Sequence, residues 1–478
     1  MVRFRCGLVA LTTFLVFAPS ASASFLSGWG YNAHLELGTG YKSTAQTVPV
    51  PTLIEHPLEV VTGGEWGAAL VEGGHVLTWG GNESGQAGNG TRSAYKAKPS
   101  VVVGLENVVE LAGNGEHLIA RLANGEVRVW GSSKYGQECD GHEGKIPSPL
   151  PEHGKPWAAL KPIPIEGVTS ATEVAAGGAD TLIRLADGSV IGCGEDSKEQ
   201  LGDHSKANKT KPIRLPLSGV EQISIGGAAA SGSHVLAVTA TGVLALGLND
   251  FGQLGDGTTT NRGTPVFVKG LTGVRSVSAG PDHNLAVLQD GQVVAWGDDE
   301  YGQLGNTAPS KCGPAKAQVA CAITPQPVGL SGDTTVAGTH FSLVASSGRV
   351  FSFGQNRWAT LGDGTKADKH SPTPVEGLEG VTSLAGGYFN GFAISANHVT
   401  PIISVISGKG FLTVNWVSTE GHEPWHVAIR PPSGEYSKTI TLVPGTRSYT
   451  FSGLTSGEYT IRVNNKSFGV KTATGIPG

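Results

Sequence analysis

The chain has 478 residues, of which 71 are glycine and only 15% are charged, with a formal charge of −5. Glycine is enriched and charge depleted relative to ordinary soluble domains, yet scattered aromatics and the absence of a G-x-y period exclude collagen and plain disorder. The acidic balance offers no electrostatic footprint for nucleic acid.

Residues 1–23 read as a secretory signal peptide. Arg3 and Arg5 precede an apolar run from Gly7 to Phe17, and Ala21-Ser22-Ala23 supplies a small-residue cleavage site. The run is too short for a membrane span. Removal of this segment takes away two Arg and Cys6 and moves the charge to −7. The expected mature product is secreted, with no membrane insertion. Four cysteines remain, Cys139, Cys193, Cys312 and Cys321. An even count in an exported chain allows two disulfides. Cys312 and Cys321 lie nine apart in one loop and form the favoured pair. Cys139 and Cys193 either pair or stay as buried thiols, because their separation in space is not given by sequence.

From residue 24 the chain is a tandem array. Its anchor is an apolar residue followed by Gly: Trp29-Gly30, Trp79-Gly80, Trp130-Gly131, Cys193-Gly194, Leu246-Gly247, Trp296-Gly297 and Phe353-Gly354. The spacings are 50, 51, 63, 53, 50 and 57 residues. A turn such as Asn249-Asp250-Phe251-Gly252-Gln253-Leu254-Gly255 follows most anchors. Short alternating runs then bracket Asn124-Gly125, Asp187-Gly188 and Asp290-Gly291, with Gly73-Gly74 and Ser347-Gly348 in the same place. These dipeptides suggest two-residue hairpin turns with positive φ. No helical period persists. Units of about 50 residues that cannot cover both faces alone predict radial stacking into an all-β propeller. Seven anchors give seven blades. The seventh unit ends without an anchor, and Phe25–Trp29 supplies the missing strand, so the ring should close without a covalent link.

The W-G-x-N-x-x-G-Q-L-G turn followed by V-x-A-G-x-x-H-x-L-A-L resembles the repeat of RCC1-type (regulator of chromosome condensation) seven-bladed propellers, over about residues 24–399. The fourth copy is degenerate. That family includes a nuclear guanine-nucleotide exchange factor, ubiquitin-ligase domains and a secreted inhibitor of β-lactamases. The resemblance implies the fold; activity belongs to sites placed on it.

Residues 400–478 change character. Leu412–Trp416, Trp425–Ile429, Ser448–Leu454 and Gly457–Val463 read as strands of a small β-sandwich. They resemble a fibronectin type III-like module, with Tyr459 at the tyrosine-corner position.

Candidate chemistry is sparse. His422-Glu423-Pro424-Trp425-His426 satisfies H-E-x-x-H, but zinc binding needs a helix and Pro424 interrupts one at a cost of about 3 kcal/mol. His117, His234, His283 and His340 recur 12 or 13 residues before an anchor, one per unit, where Trp66, Asp180 and Asn390 stand in the other units. That spread suits an architectural histidine bonded to a neighbouring turn, not one metal centre. Gly255-Asp256-Gly257-Thr258 and Gly362-Asp363-Gly364-Thr365 lack the lysine of a phosphate loop and read as turns. No catalytic, cofactor or metal residue is expected.

A more informative position lies four residues after each anchor glycine. It holds His34, Ser84, Tyr135, Lys198, Phe251, Tyr301 and Trp358. Repeated aromatics there can be framework packing on the next blade. They can also form protein-binding anchors on one rim, and Tyr135, Phe251, Tyr301 and Trp358 are the candidates. Two insertions, His142 to Lys161 with Trp157, and Asn306 to Pro325 with the cysteine pair, are either recognition loops or neutral length drift at exposed loop tips. The expected function is a secreted, non-enzymatic, monomeric protein binder, an inhibitor or scaffold. Nucleotide exchange on a small GTPase is the alternative that the resemblance implies. A channel hydrolase or lyase is a third, for which the sequence places no acid–base pair.

Overall fold

The computed structural model describes residues 24–143, 158–228, 231–313 and 318–396, and in the C-terminal part 402–408, 411–417, 425–431, 438–442, 448–455, 458–464, 471–475 and 477. The proposed signal peptide and Trp157 lie outside the described residues.

Seven antiparallel sheets form the ring. The first blade is Pro57–Thr62, Trp66–Val71, His75–Asn82 and Ser93–Val101, ordered from the inside outward. Blades two to six repeat this plan, starting at Val108, Ala171, Val220, Val274 and Thr334. The seventh combines both ends of the array. Val381–Gly386 and Asn390–Ser395 supply its inner half, and Phe25–Asn32 and Ser43–Glu55 its outer half. Phe25 pairs with Ser395 and Trp29 with Gly391, so closure is by hydrogen bonds, as the sequence indicated.

Each third strand carries the anchor, and the anchor holds the blade before it. Trp79 Nε1 donates to the Glu36 carbonyl at 2.6 Å, Trp130 to Gln86 at 3.0 Å and Trp296 to Gln253 at 2.8 Å. Trp29 closes the circle on Thr360 at 2.8 Å. The glycine two residues after each such carbonyl makes room. A Cβ at Gly38 or Gly88 would sit 3.2 or 3.1 Å from the Nε1 of Trp79 or Trp130.

The degenerate unit now has an explanation. Cys139 stands at this glycine position, and Cys193 replaces the anchor tryptophan. Their sulfurs are bonded, with Cα atoms 5.6 Å apart. A covalent link between blades two and three thus stands where four other junctions use an indole on a carbonyl. Cys312 and Cys321 also pair, across the hairpin formed by Ser310–Cys312 and Val319–Ser331, which gives blade five an extra strand.

Two local expectations change. Asn124-Gly125, Asp187-Gly188 and Asp290-Gly291 sit in three-residue loops, and only the glycines have positive φ, at 80°, 74° and 86°. The Asn or Asp oxygen instead accepts the backbone N–H two residues on, at 2.9–3.0 Å, which favours this longer turn. Ser347-Gly348 is the two-residue turn, with φ of 50° and 75°.

The inner strands are tied by side chains. Glu59 accepts the Leu111 N–H at 2.8 Å, Glu110 that of Val174 at 3.2 Å and Glu173 that of Ile223 at 3.1 Å. They surround a central channel of about 330 Å³ whose lining includes one titratable residue, Glu59.

The C-terminal strands form two sheets. One orders Ile402–Gly408, Phe411–Val417 and Ser448–Ser452. The other orders Lys438–Leu442, Trp425–Arg430, Tyr459–Asn464 and Lys471–Gly475. Leu412, Val414, Trp416, Trp425, Val427, Ile461 and Val463 are buried in this sandwich, with the two indoles 5.7 Å apart. His426 lies on a strand and meets Thr441 at 3.1 Å. The helix that H-E-x-x-H needs is replaced there by β-structure; His422 and Glu423 lie outside the described residues.

Candidate functional site

The face carrying the post-anchor turns is built from recurring parts. At the fourth position of each motif, Asn82, Asn249 and Asn356 accept the N–H five residues on, at 2.8–3.0 Å. The turn glutamine accepts the N–H of the candidate aromatic two residues back. Tyr135 donates to Gln137, Phe251 to Gln253 and Tyr301 to Gln303, at 2.8–2.9 Å. Each aromatic is therefore fixed at its blade's rim, and Tyr135, Phe251, Tyr301 and Trp358 are all half-buried.

They do not gather into one cluster. Tyr135 lies beside Lys134, whose ammonium is 4.8 Å from its ring. Tyr301 packs on His340 of the next blade at 5.2 Å. Trp358 alone joins a larger group. Its ring is 5.1 Å from Tyr31 and 5.8 Å from Phe389, both edge-on, and Tyr388 adjoins Phe389 at 6.2 Å. Tyr31 also meets His34 at 5.9 Å, and His34 stacks on Tyr95 at 6.3 Å. The seam where blades six, seven and one meet thus holds an aromatic shelf, all of it half-buried or exposed. Tyr388-Phe389 stands in the sequence as an aromatic pair where three other units carry Gly64-Glu65, Gly115-Glu116 and Pro281-Asp282. Tyr31 lies within the anchor motif itself. Tyr95 carries no repeat signal.

The repeated histidines are framework. His117 and His283 meet Thr181 and Ser342 of the next blade, at 3.1 and 2.9 Å. Those hydroxyls donate to the Gln137 and Gln303 carbonyls, so each histidine must give its own Nε2 proton. His234 donates likewise to Asn284 at 2.6 Å. Burial lowers all three, His117 and His234 to about 4 and His283 to about 3. His340 leaves the pattern. Phe341, not His340, pairs with the glycine after the anchor, because the second strand of blade six slips by one residue.

Carboxylates dominate the loop face. Glu65, Glu116, Asp282 and Glu300 lie in its loops, against Lys134, Lys198 and Arg357. Burial raises Asp282 to about 6 and Asp298 to about 7. Among the described residues no three metal-ligating side chains come together, and no helix is long and apolar enough to cross a membrane.

A closed ring of seven sequence repeats, four of them anchored by an indole on the neighbouring turn, defines a seven-bladed β-propeller. The model of the RCC1-like domain matches residues 21–336, and that of the regulator of chromosome condensation (RCC1) repeat matches 347–394. The chain belongs to this RCC1-like family. It is 28% identical to the Xenopus laevis regulator of chromosome condensation, over 68% of this chain and 78% of that protein. It is 26% identical to the Arabidopsis thaliana ultraviolet-B receptor UVR8, over 84% and 86%. With the human E3 ubiquitin-protein ligase HERC2 it shares 29% identity over 67% of this chain, which spans only 6% of that ligase. Among solved structures, Prp20p from Saccharomyces cerevisiae aligns at a TM-score of 0.66 and 21% identity, over 78% and 92% of the two chains. That structure is described with its binding to Gsp1p and histones.

Proposed function

We propose that the protein is an exported, non-enzymatic binding propeller that docks a protein partner on its loop face. The observation that carries this reading is the aromatic shelf of Trp358, Tyr31, Phe389 and Tyr388. Large rigid rings at a solvent-facing seam supply contact area with little ordering cost. The turns beneath them are fixed by repeated hydrogen bonds, so the shelf is preorganised. Export is supported by the N-terminal charge and apolar pattern and by two cysteine pairs at bonding distance.

We read the C-terminal sandwich as a fibronectin type III-like spacer or second contact. Its three- and four-stranded sheets and the 3.2 Å contact of the buried Tyr459 hydroxyl with Thr455 support that reading.

The test is capture of partners from culture fluid and envelope extract by the immobilised mature chain, beside a nucleotide-loaded GTPase fraction. A stoichiometric extracellular protein is the expected result. Trp358→Ala with Phe389→Ala should weaken that complex at least about tenfold, with melting unchanged within a few degrees. Retained affinity in the double variant would remove the shelf from the interface. Capture of a GTPase alone would replace this reading with nucleotide exchange.

A further inference from the structure

We propose that the seam between the seventh and first blades is a receptor for an arginine side chain of the partner. This rests on the reading of the loop face as the docking face. The starting point is Glu36. Five other turns place glutamine there: Gln86, Gln137, Gln200, Gln253 and Gln303. In three of them the amide nitrogen donates to a carboxylate, Gln200 to Asp180, Gln253 to Asp282 and Gln303 to Asp298. Glu36 has no such donor to offer. Its Oε2 accepts the His34 N–H at 2.9 Å, as the glutamines do. Its Oε1 receives no hydrogen bond, although the side chain is 1% exposed. An acceptor therefore stands where the repeat places a donor.

The neighbouring groups deepen the deficit. His34 Nδ1 lies 3.5 Å from Glu36 Oε1 and 3.2 Å from Glu65 Oε1. One ring nitrogen carries at most one hydrogen and cannot satisfy both carboxylates. A guanidinium carries five N–H groups in a planar fork and can. Glu65 is 53% exposed at its side chain, so this carboxylate is open to a partner, with Glu36 buried behind it.

The walls favour arginine over lysine. His34 lies between Tyr31 and Tyr95, and the Lys42 ammonium already sits 3.9 Å from the Tyr95 ring centre. A planar guanidinium stacks on such rings, whereas an ammonium is held as a strongly hydrated point charge. The Trp358 and Phe389 rings beside the seam take apolar atoms flanking the arginine.

The experiment uses the full mature chain and fluorescein-labelled tri-arginine, tri-lysine and tri-citrulline peptides, read by polarisation at low salt. Tri-arginine should bind more tightly than tri-lysine, and tri-citrulline should not bind. Glu36→Gln with Glu65→Gln should lower tri-arginine affinity at least tenfold. Glu36→Gln installs the residue five other turns carry, so the variant should fold, and its melting curve checks this. Asp250→Asn with Glu300→Gln removes equal charge elsewhere on the face and should change affinity less than twofold. Equal losses in the two double variants, or no tri-arginine binding by the folded wild type, overturn the site. A partner captured equally by wild type and the Glu36→Gln, Glu65→Gln protein overturns the arginine site and leaves the docking face standing. If no partner is captured the docking face falls, and the tri-arginine series still decides the site.

Discussion

Buried titratable side chains set the molecule's response to pH. Glu138 is 3% exposed and accepts the Ala159 N–H. Burial pushes it from 4.5 to about 8, with Asp140 adding to the rise, so the folded state holds a proton that the unfolded chain releases. A raised carboxylate contributes stability that is fully present below its unfolded value. That contribution is lost as pH rises through about 8. Wild-type melting should therefore fall by a few degrees or so between pH 6 and 9. Glu138→Gln keeps the acceptor for Ala159 without the titration, and its melting should fall less over that window. Parallel curves in a pH series of thermal scans would exclude Glu138 as the cause. The buried histidines act with the opposite sign. Their lowered values place full stability above the ordinary histidine range, lost as pH falls toward about 4.

The junction between blades carries the energetics at the element scale. An anchor indole reaches the carbonyl of the preceding turn, and a glycine beyond that carbonyl clears its path. Cys139 and Cys193 substitute for both partners at one junction and close a span of 54 residues. The chain-entropy view gives such a link roughly 4 kcal/mol. In a background carrying Cys312→Ser and Cys321→Ser, a reducing agent should lower the melting temperature clearly. Cys139→Gly with Cys193→Trp recreates the indole junction and should melt independently of reductant. A reductant effect that survives in this variant would show that the stabilisation lies elsewhere. The degenerate anchor looked like decay of the repeat in one dimension. It is a coordinated exchange of two positions 54 residues apart, visible only once both are in contact.

At the scale of the whole molecule, closure is the decisive event. The seventh blade takes its outer half from Phe25–Asn32 and Ser43–Glu55. A chain beginning at residue 57 would leave the Asn390–Ser395 strand with a bare edge and uncover Phe392. Such a truncation should aggregate or lose cooperative melting. A soluble monomer with the wild-type transition would show that the ring does not depend on this closure. Closure also creates the candidate site. Trp358 comes from blade six, Tyr31, His34 and Glu36 from the returning N-terminal segment, and Tyr388 and Phe389 from the end of the array. No local window of sequence contains that seam.

The sequence by itself determined the all-β character, the seven units, the anchors and the completion of the last blade. These follow from spacing and turn chemistry, which are local and repeated. It also marked Trp358 as a rim aromatic and the cysteine pair in the sixth unit's insertion. Tertiary structure decided which aromatics meet, because closure apposes segments more than 300 residues apart. It paired Cys139 with Cys193 and moved His340 out of the histidine register through a one-residue slip. It left the Oε1 of Glu36 an acceptor without a donor. A motif records what each blade needs from itself, whereas these features depend on what the neighbouring blade supplies.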